Sequence, residues 1–115
     1  MDSLNKQELE KIKKAILNVV KAEAIYLFGS HAYGTSTEDS DYDIYVVIPD
    51  NTLRPIDAMR LIGKAIYNEE TKPIDIIVGT TSDFHQRKLL PTLERTVFND
   101  GVLLYAEAGH RKRVD

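Results

Sequence analysis

The sequence predicts an α+β fold, a single small domain in which a mixed β-sheet carries helices packed on it. Three observations point there. Segments with helical spacing of apolar residues alternate along the chain with short runs of strand character. The connection between the first two strand segments, Ser30 to Ser40, has only eleven residues, which is short for a parallel crossover and favours an antiparallel or mixed arrangement. The length of 115 residues is about one domain, enough to bury one core and too short for a second lobe.

Taken in order, Asn5 can cap a first helix, Glu8 completes a capping box, and Leu4 with Leu9 forms a hydrophobic staple. Leu9, Ile12, Ile16 and Val19 recur at helical spacing and give one buried stripe, opposite a lysine-rich face of Lys6, Lys13 and Lys14. Ala24 to Phe28 reads as a buried strand ending at Gly29. Tyr42, Ile44, Val46 and Ile48 alternate with Asp41, Asp43, Tyr45 and Val47, the period of a second strand with two aspartates at its start. Pro49, Asp50 and Asn51 end it. Pro55 sits where a second helix can begin without losing an amide hydrogen bond, and Ile56, Met59, Ile62 and Ile66 mark its buried face. Ile74 to Val78 is a third strand, Thr81 or Ser82 caps a third helix, and Pro91 breaks or restarts it. Gly101 punctuates before a last strand, VLLYA, and no linker, repeat or low-complexity segment interrupts the series.

With 43% hydrophobic and 29% charged residues the chain is neither disordered nor membrane-like, and no apolar run approaches the roughly 20 residues that span a bilayer. The polar start, MDSLNKQELEKIKK, lacks the pattern of a secretory signal, and zero cysteines exclude disulfides and thiolate metal sites. A cytoplasmic location is expected. The net charge of −3 argues against general nucleic-acid binding, which needs clustered Lys and Arg. One basic run, His110 to Arg113, lies beyond the last apolar segment; it reads as a frayed, solvated terminus or as a contact for a polyanion or acidic partner.

The chemistry concentrates in Gly29 to Val47, GSHAYGTSTEDSDYDIYVV. Gly29 lets a phosphate approach the backbone closely, and Ser30 adds a hydroxyl and an amide donor. If His31, Ala32 and Tyr33 continue into a helical turn, its amides and dipole favour an anion. Alternation puts Asp41 and Asp43 on one face of the strand with Tyr42 on the other. Two ionised carboxylates there repel, and a divalent metal relieves the repulsion. Magnesium fits, because it is held by one or two carboxylates plus substrate phosphates at roughly 2.0 to 2.1 Å. The segment PIDIIVG adds Asp75. Such a set suits metal-assisted transfer of a nucleotidyl group.

A Gly-Ser pair, ten intervening residues, Asp-x-Asp closing into an apolar strand and a third aspartate on a later strand resemble the polymerase-beta-like nucleotidyltransferases. The chain is most similar to their minimal nucleotidyltransferase type, stand-alone catalytic domains of which many pair with a HEPN-domain protein in toxin-antitoxin systems. The resemblance covers nearly the whole chain, with a nucleotidyltransferase domain over residues 1–108 and a basic tail over 109–115. It implies that Gly29 and Ser30 hold the triphosphate of ATP, and that Asp41 and Asp43 ligate Mg2+. Asp75 would be the third carboxylate, completing the metal site and accepting the proton of the attacking hydroxyl. Two ions about 3.5 to 4 Å apart are compatible with such a site.

Two features depart from the pattern. Many relatives carry arginine after the Gly-Ser pair, where this chain has His31, either a pH-dependent donor to phosphate or a histidine packed in the turn. The larger antibiotic-modifying relatives also have a substrate lobe that this chain lacks. Tyr33, in the phosphate loop, is a candidate to line a nucleobase pocket, whereas the other tyrosines read as core or sheet packing and His85 as a solvated surface residue. The expected function is transfer of AMP from ATP to a hydroxyl, with a tyrosine of a HEPN toxin partner as the acceptor the resemblance suggests. The alternative is a catalytically weak module that binds nucleotide or a partner and acts by complex formation. A homodimer is compatible with a domain of this size, although no apolar surface stripe demands one.

Overall fold

The computed structural model describes residues 6–37, 39–69 and 72–108. Their elements alternate as expected: α1 (Lys6–Val19), β1 (Ala24–Phe28), a short helical turn α2 (Ser30–Tyr33), β2 (Tyr42–Ile48), α3 (Pro55–Tyr67), β3 (Ile74–Thr80), α4 (Thr81–Arg87), α5 (Leu93–Asp100) and β4 (Val102–Ala106). The strands form one mixed sheet ordered β3-β2-β1-β4. β1 runs antiparallel to both β2 and β4, and β2 runs parallel to β3. The short Ser30–Ser40 connection thus joins an antiparallel pair, while α3 supplies the crossover that a parallel pair requires.

Strand alternation gives the sheet two apolar faces. On one, Ile25, Leu27, Ile44, Val46 and Val78 pack against Leu9, Ile12 and Ile16 of α1 and Ala58 and Ile62 of α3. On the other, Tyr26, Tyr45 and Val47 pack with Phe84 of α4 and Val97 of α5. Ile12, Ile16, Ile25, Ile44 and Ile62 are all fully buried, and each such side chain contributes roughly 1.5–3 kcal/mol of burial. Helices on both faces explain why β2 is buried along almost its whole length.

Several local expectations change. In α1, Val19 is exposed and Val20 is buried, because the helical bonding carries one residue further, from the Val20 amide to the Ile16 carbonyl at 3.0 Å, and brings Val20 onto the stripe. In α3 the buried line is Ala58, Ile62 and half-buried Ile66, at i,i+4 spacing, and Ile56 and Met59 lie to its side, exposed. β3 extends to Thr80, and Thr80 caps α4, its Oγ1 accepting from the Asp83 amide at 3.3 Å. The hydroxyls expected as caps are used elsewhere: Thr81 donates to Glu23 at 2.7 Å and Ser82 to Asp50. His85 is not a free surface residue; its Nε2 lies 3.2 Å from Glu23 Oε2 and its ring packs edge-on against Phe84. Pro91 separates α4 from α5, and Thr92 restarts the helix by capping Arg95. The cap at Asn5, the staple residue Leu4 and the basic tail lie outside the described residues. Among the described residues no helix is long and apolar enough to cross a membrane.

Candidate active site

One end of the sheet collects the residues singled out by the sequence. β1 ends at Phe28 opposite Asp43 of β2, so Gly29 begins the turn directly beside that aspartate. Gly29 has φ 75 and ψ −159, a conformation that L side chains rarely adopt. A Cβ at Gly29 would overlap the Asp43 Oδ2 and lie 3.0 Å from its Cγ. Glycine is therefore required twice, for its backbone angles and for the room it leaves the carboxylate. The chain then turns helically through α2: the Ala32 and Tyr33 amides bond the Gly29 carbonyl at 3.0 and 3.1 Å, and Gly34 ends the turn in the left-handed region. The amides of Ser30 and His31 come before this bonding starts, as in the opening turn of any helix.

The carboxylates come from two strands. Asp43 and Asp75 are register partners across the parallel β2–β3 pair and share a sheet face. Asp75 is exposed on the edge strand, Asp43 is half-buried, and Asp41 is exposed just before β2. Burial, and then the negative charges of Asp75 and Asp41, push the Asp43 carboxyl above the ordinary aspartate range, while His31 pulls it the other way. A carboxyl flanked by two further acidic side chains makes a place suited to a cation. Among the described residues no three acidic or histidine side chains form a ready-made metal cage. The donor set fits Mg2+ that is held by one or two carboxylates and completed by substrate phosphates.

His31 and Tyr33 have different environments. Tyr33, 44% exposed, ends the helical turn, and among the described residues no aromatic ring packs against it. His31 is 5% exposed; its Nε2–H donates to the Ser40 carbonyl at 2.9 Å and its ring lies 4.6 Å from that of Tyr42. Beneath the site, Tyr42 donates its hydroxyl to Glu8 at 2.5 Å and its amide to the Pro73 carbonyl at 2.9 Å. Ser40 and Pro73 are not recognisable as anchors from residue type, since a backbone carbonyl has no residue signature. Tyr42 was legible only as a core residue.

A family model described as Polymerase beta, Nucleotidyltransferase matches residues 10–109. Among curated relatives, Putative protein adenylyltransferase MJ1379 of Methanocaldococcus jannaschii is 46% identical over 46 residues, 40% of this chain and 46% of that protein, so the match spans less than half of that relative. Putative protein adenylyltransferase MJ0126 of the same organism is 29% identical over 89 residues, 77% of this chain and 87% of that protein. Among solved structures, a toxin-antitoxin with AMP-PNP aligns at 25% identity with a TM-score of 0.57, covering 87% of this chain and 74% of that one. A mutant of the toxin-antitoxin MntA-HpeT aligns at 26% identity with a TM-score of 0.58, covering 91% of this chain and 76% of that one. A structure described as a putative nucleotidyltransferase from Sulfolobus solfataricus has the same fold at 23% identity and a TM-score of 0.57, covering 93% of this chain and 94% of that one. With the family model matched over residues 10–109, nearly its whole length, this chain belongs to the polymerase beta nucleotidyltransferase family.

Proposed function

We propose that the protein transfers AMP from ATP to a hydroxyl acceptor, with Gly29, Ser30, Asp41, Asp43 and Asp75 as the working residues. The observation that carries this reading is the register pairing of Asp43 with Asp75 directly beside the glycine turn at Gly29. In the reaction the acceptor oxygen attacks the α-phosphorus of ATP, a new P–O bond forms, the bond to the bridging α–β oxygen breaks, and pyrophosphate leaves. Gly29 and Ser30 receive the triphosphate through backbone approach, amide and hydroxyl. Asp41 and Asp43 would hold Mg2+ with the substrate phosphates, and Asp75 with them. A Mg2+ ion held by these residues would supply neutralisation of phosphate charge and a lower cost of ionising the attacking hydroxyl. Asp75, exposed at the sheet edge, is open to an incoming acceptor and takes its proton. Tyr33 offers an exposed ring beside the phosphate turn on which a base can stack. The remainder of catalysis is positioning, as in other phosphoryl transfers.

The acceptor proposed is a tyrosine hydroxyl on a HEPN-type helical partner, whose RNA-cleaving activity the modification would silence. The relatives named as protein adenylyltransferases and the toxin-antitoxin neighbours support this choice. One observation favours a second reading, in which the protein neutralises its partner by contact: His31 spends its Nε2–H on the Ser40 carbonyl and not on a phosphate. Intact-mass spectrometry after incubation with ATP, Mg2+ and the product of the neighbouring gene separates the two. A gain of one AMP on the neighbour, lost in the Asp41→Asn, Asp43→Asn double variant, is the expected result. A stable complex that silences the neighbour with no mass gain would replace transfer by contact.

A further inference from the structure

Asp41 lies outside the strand, exposed, in the last position before β2. The direction of a side chain so placed is set by what holds its neighbours in the chain. One side chain holds both. His31 donates Nε2–H to the Ser40 carbonyl at 2.9 Å, and its ring lies 4.6 Å from the Tyr42 ring at an interplanar angle of 43°. His31 is buried, and it directly follows Ser30. The imidazole therefore connects the glycine-serine turn to the residues on either side of Asp41. Other bonds stiffen both ends of this grip: the Ser40 Oγ accepts from the Thr37 amide at 2.8 Å, the Ser40 amide donates to the Thr37 carbonyl at 3.1 Å, and Tyr42 is tied to Pro73 and Glu8.

We propose that His31 is a positioning residue, which fixes Asp41 relative to Gly29 and Ser30 by holding Ser40 and Tyr42 at once, and which does not itself bind the triphosphate. This rests on the nucleotidyltransferase reading of Asp41. Two properties of the imidazole are used together: a flat ring that packs on Tyr42, and an N–H at the far end of that ring that satisfies a carbonyl. Phenylalanine keeps the ring and loses the donor, whereas glutamine keeps an N–H at similar reach and loses the ring. A group touching phosphate controls nucleotide affinity. A group that aims Asp41 controls turnover and the magnesium requirement.

The test uses His31→Phe and His31→Gln in the full chain. Three quantities are read: AMP transfer, ATP affinity by calorimetry without Mg2+, and the backbone amide NMR signals of Asp41 and Tyr42. His31→Phe is expected to lower kcat about 10- to 100-fold and to raise the Mg2+ concentration giving half the maximal rate. It should leave ATP affinity within about twofold of wild type and shift both amide signals, and His31→Gln, which restores the donor without the ring, should recover part of kcat. Loss of Mg2+-free ATP affinity in both variants with unmoved amides would overturn the proposal and make His31 a phosphate ligand. Unchanged kcat and amides in His31→Phe would overturn it as well. Should phenylalanine unfold the chain, His31→Gln decides alone: retained Mg2+-free ATP affinity with shifted Asp41 and Tyr42 amides and lowered kcat supports positioning, and lost affinity, or unmoved amides with unchanged kcat, overturns it. If the wild type transfers no AMP, the nucleotidyltransferase reading fails by itself, and the amide shifts still report whether His31 holds the loop.

Discussion

Gly29 combines two demands in one position, a positive φ and the absence of a Cβ against Asp43. Alanine there must either force its backbone into the left-handed half of conformational space or push the Asp43 carboxylate away, and the strain costs about 1–3 kcal/mol. Gly29→Ala is therefore expected to lower the urea midpoint and to abolish AMP transfer, while Gly34→Ala, whose Cβ would meet nothing within 4 Å, should pay only the backbone term and keep the activity. Paired urea titrations and transfer assays check both. At this scale the sequence was informative where chemistry is carried by side chains in a fixed spacing. Gly29, Asp41 and Asp43 stand out because a turn glycine and a period-2 pair of carboxylates have recognisable patterns. His31 did not reveal its partner, because the atom it bonds is a main-chain oxygen nine positions away.

Between elements, a buried carboxylate ties α4, α5 and β2 together. Glu94 of α5 accepts from the Tyr45 hydroxyl at 2.8 Å and from Arg87 Nε at 3.0 Å, and Gly79 on β3 leaves the space that the Tyr45 hydroxyl occupies. Burial works to raise the Glu94 carboxyl, but the hydrogen bonds from Tyr45 and Arg87 outweigh it and hold it below the ordinary 4.5. A carboxyl depressed in the folded state stabilises the fold above its unfolded value, and this contribution is lost as pH falls through the folded one. Glu94→Ala should cost roughly 1–3 kcal/mol at neutral pH by orphaning two donors. Its stability curve should converge on that of wild type as pH drops below about 4.5, measured by chemical denaturation across pH. Gly79→Ala would overlap the rigid Tyr45 hydroxyl and is expected to destabilise by about 1–3 kcal/mol. Periodicity placed the strands well but not this clamp: Glu94 looks like any first-turn acid of a polar helix, and only the tertiary fold brings Tyr45 to it. The exposed Ile56 and Met59 of α3 have the same cause, since the spacing of apolar residues fits two adjacent stripes and only tertiary packing buries the one made by Ala58, Ile62 and Ile66.

For the molecule as a whole, alternating elements and one short connection were enough to indicate a mixed sheet with helices on it, whereas the strand order depends on contacts too distant in sequence for local pattern to encode. A ligand bound only by the folded state stabilises all of it. ATP with Mg2+ at about a hundred times its Kd should add about 2.7 kcal/mol, raising Tm by roughly 10 °C. The Asp41→Asn, Asp43→Asn variant should show no such shift in a thermal melt. The parallel pairing of Asp43 with Asp75 has one more consequence, for synthesis of the chain. The β1–β2 hairpin can close as soon as Ile48 has emerged, setting Gly29 against Asp43, but Asp75 arrives only after all of α3 has been made and folded across the sheet. A ribosome halted before β3 holds a chain with the glycine turn, Asp41 and Asp43 in place but without Asp75 beside them. On the proposed function such a nascent chain would be inactive, and activity would wait for β3 to dock beside β2.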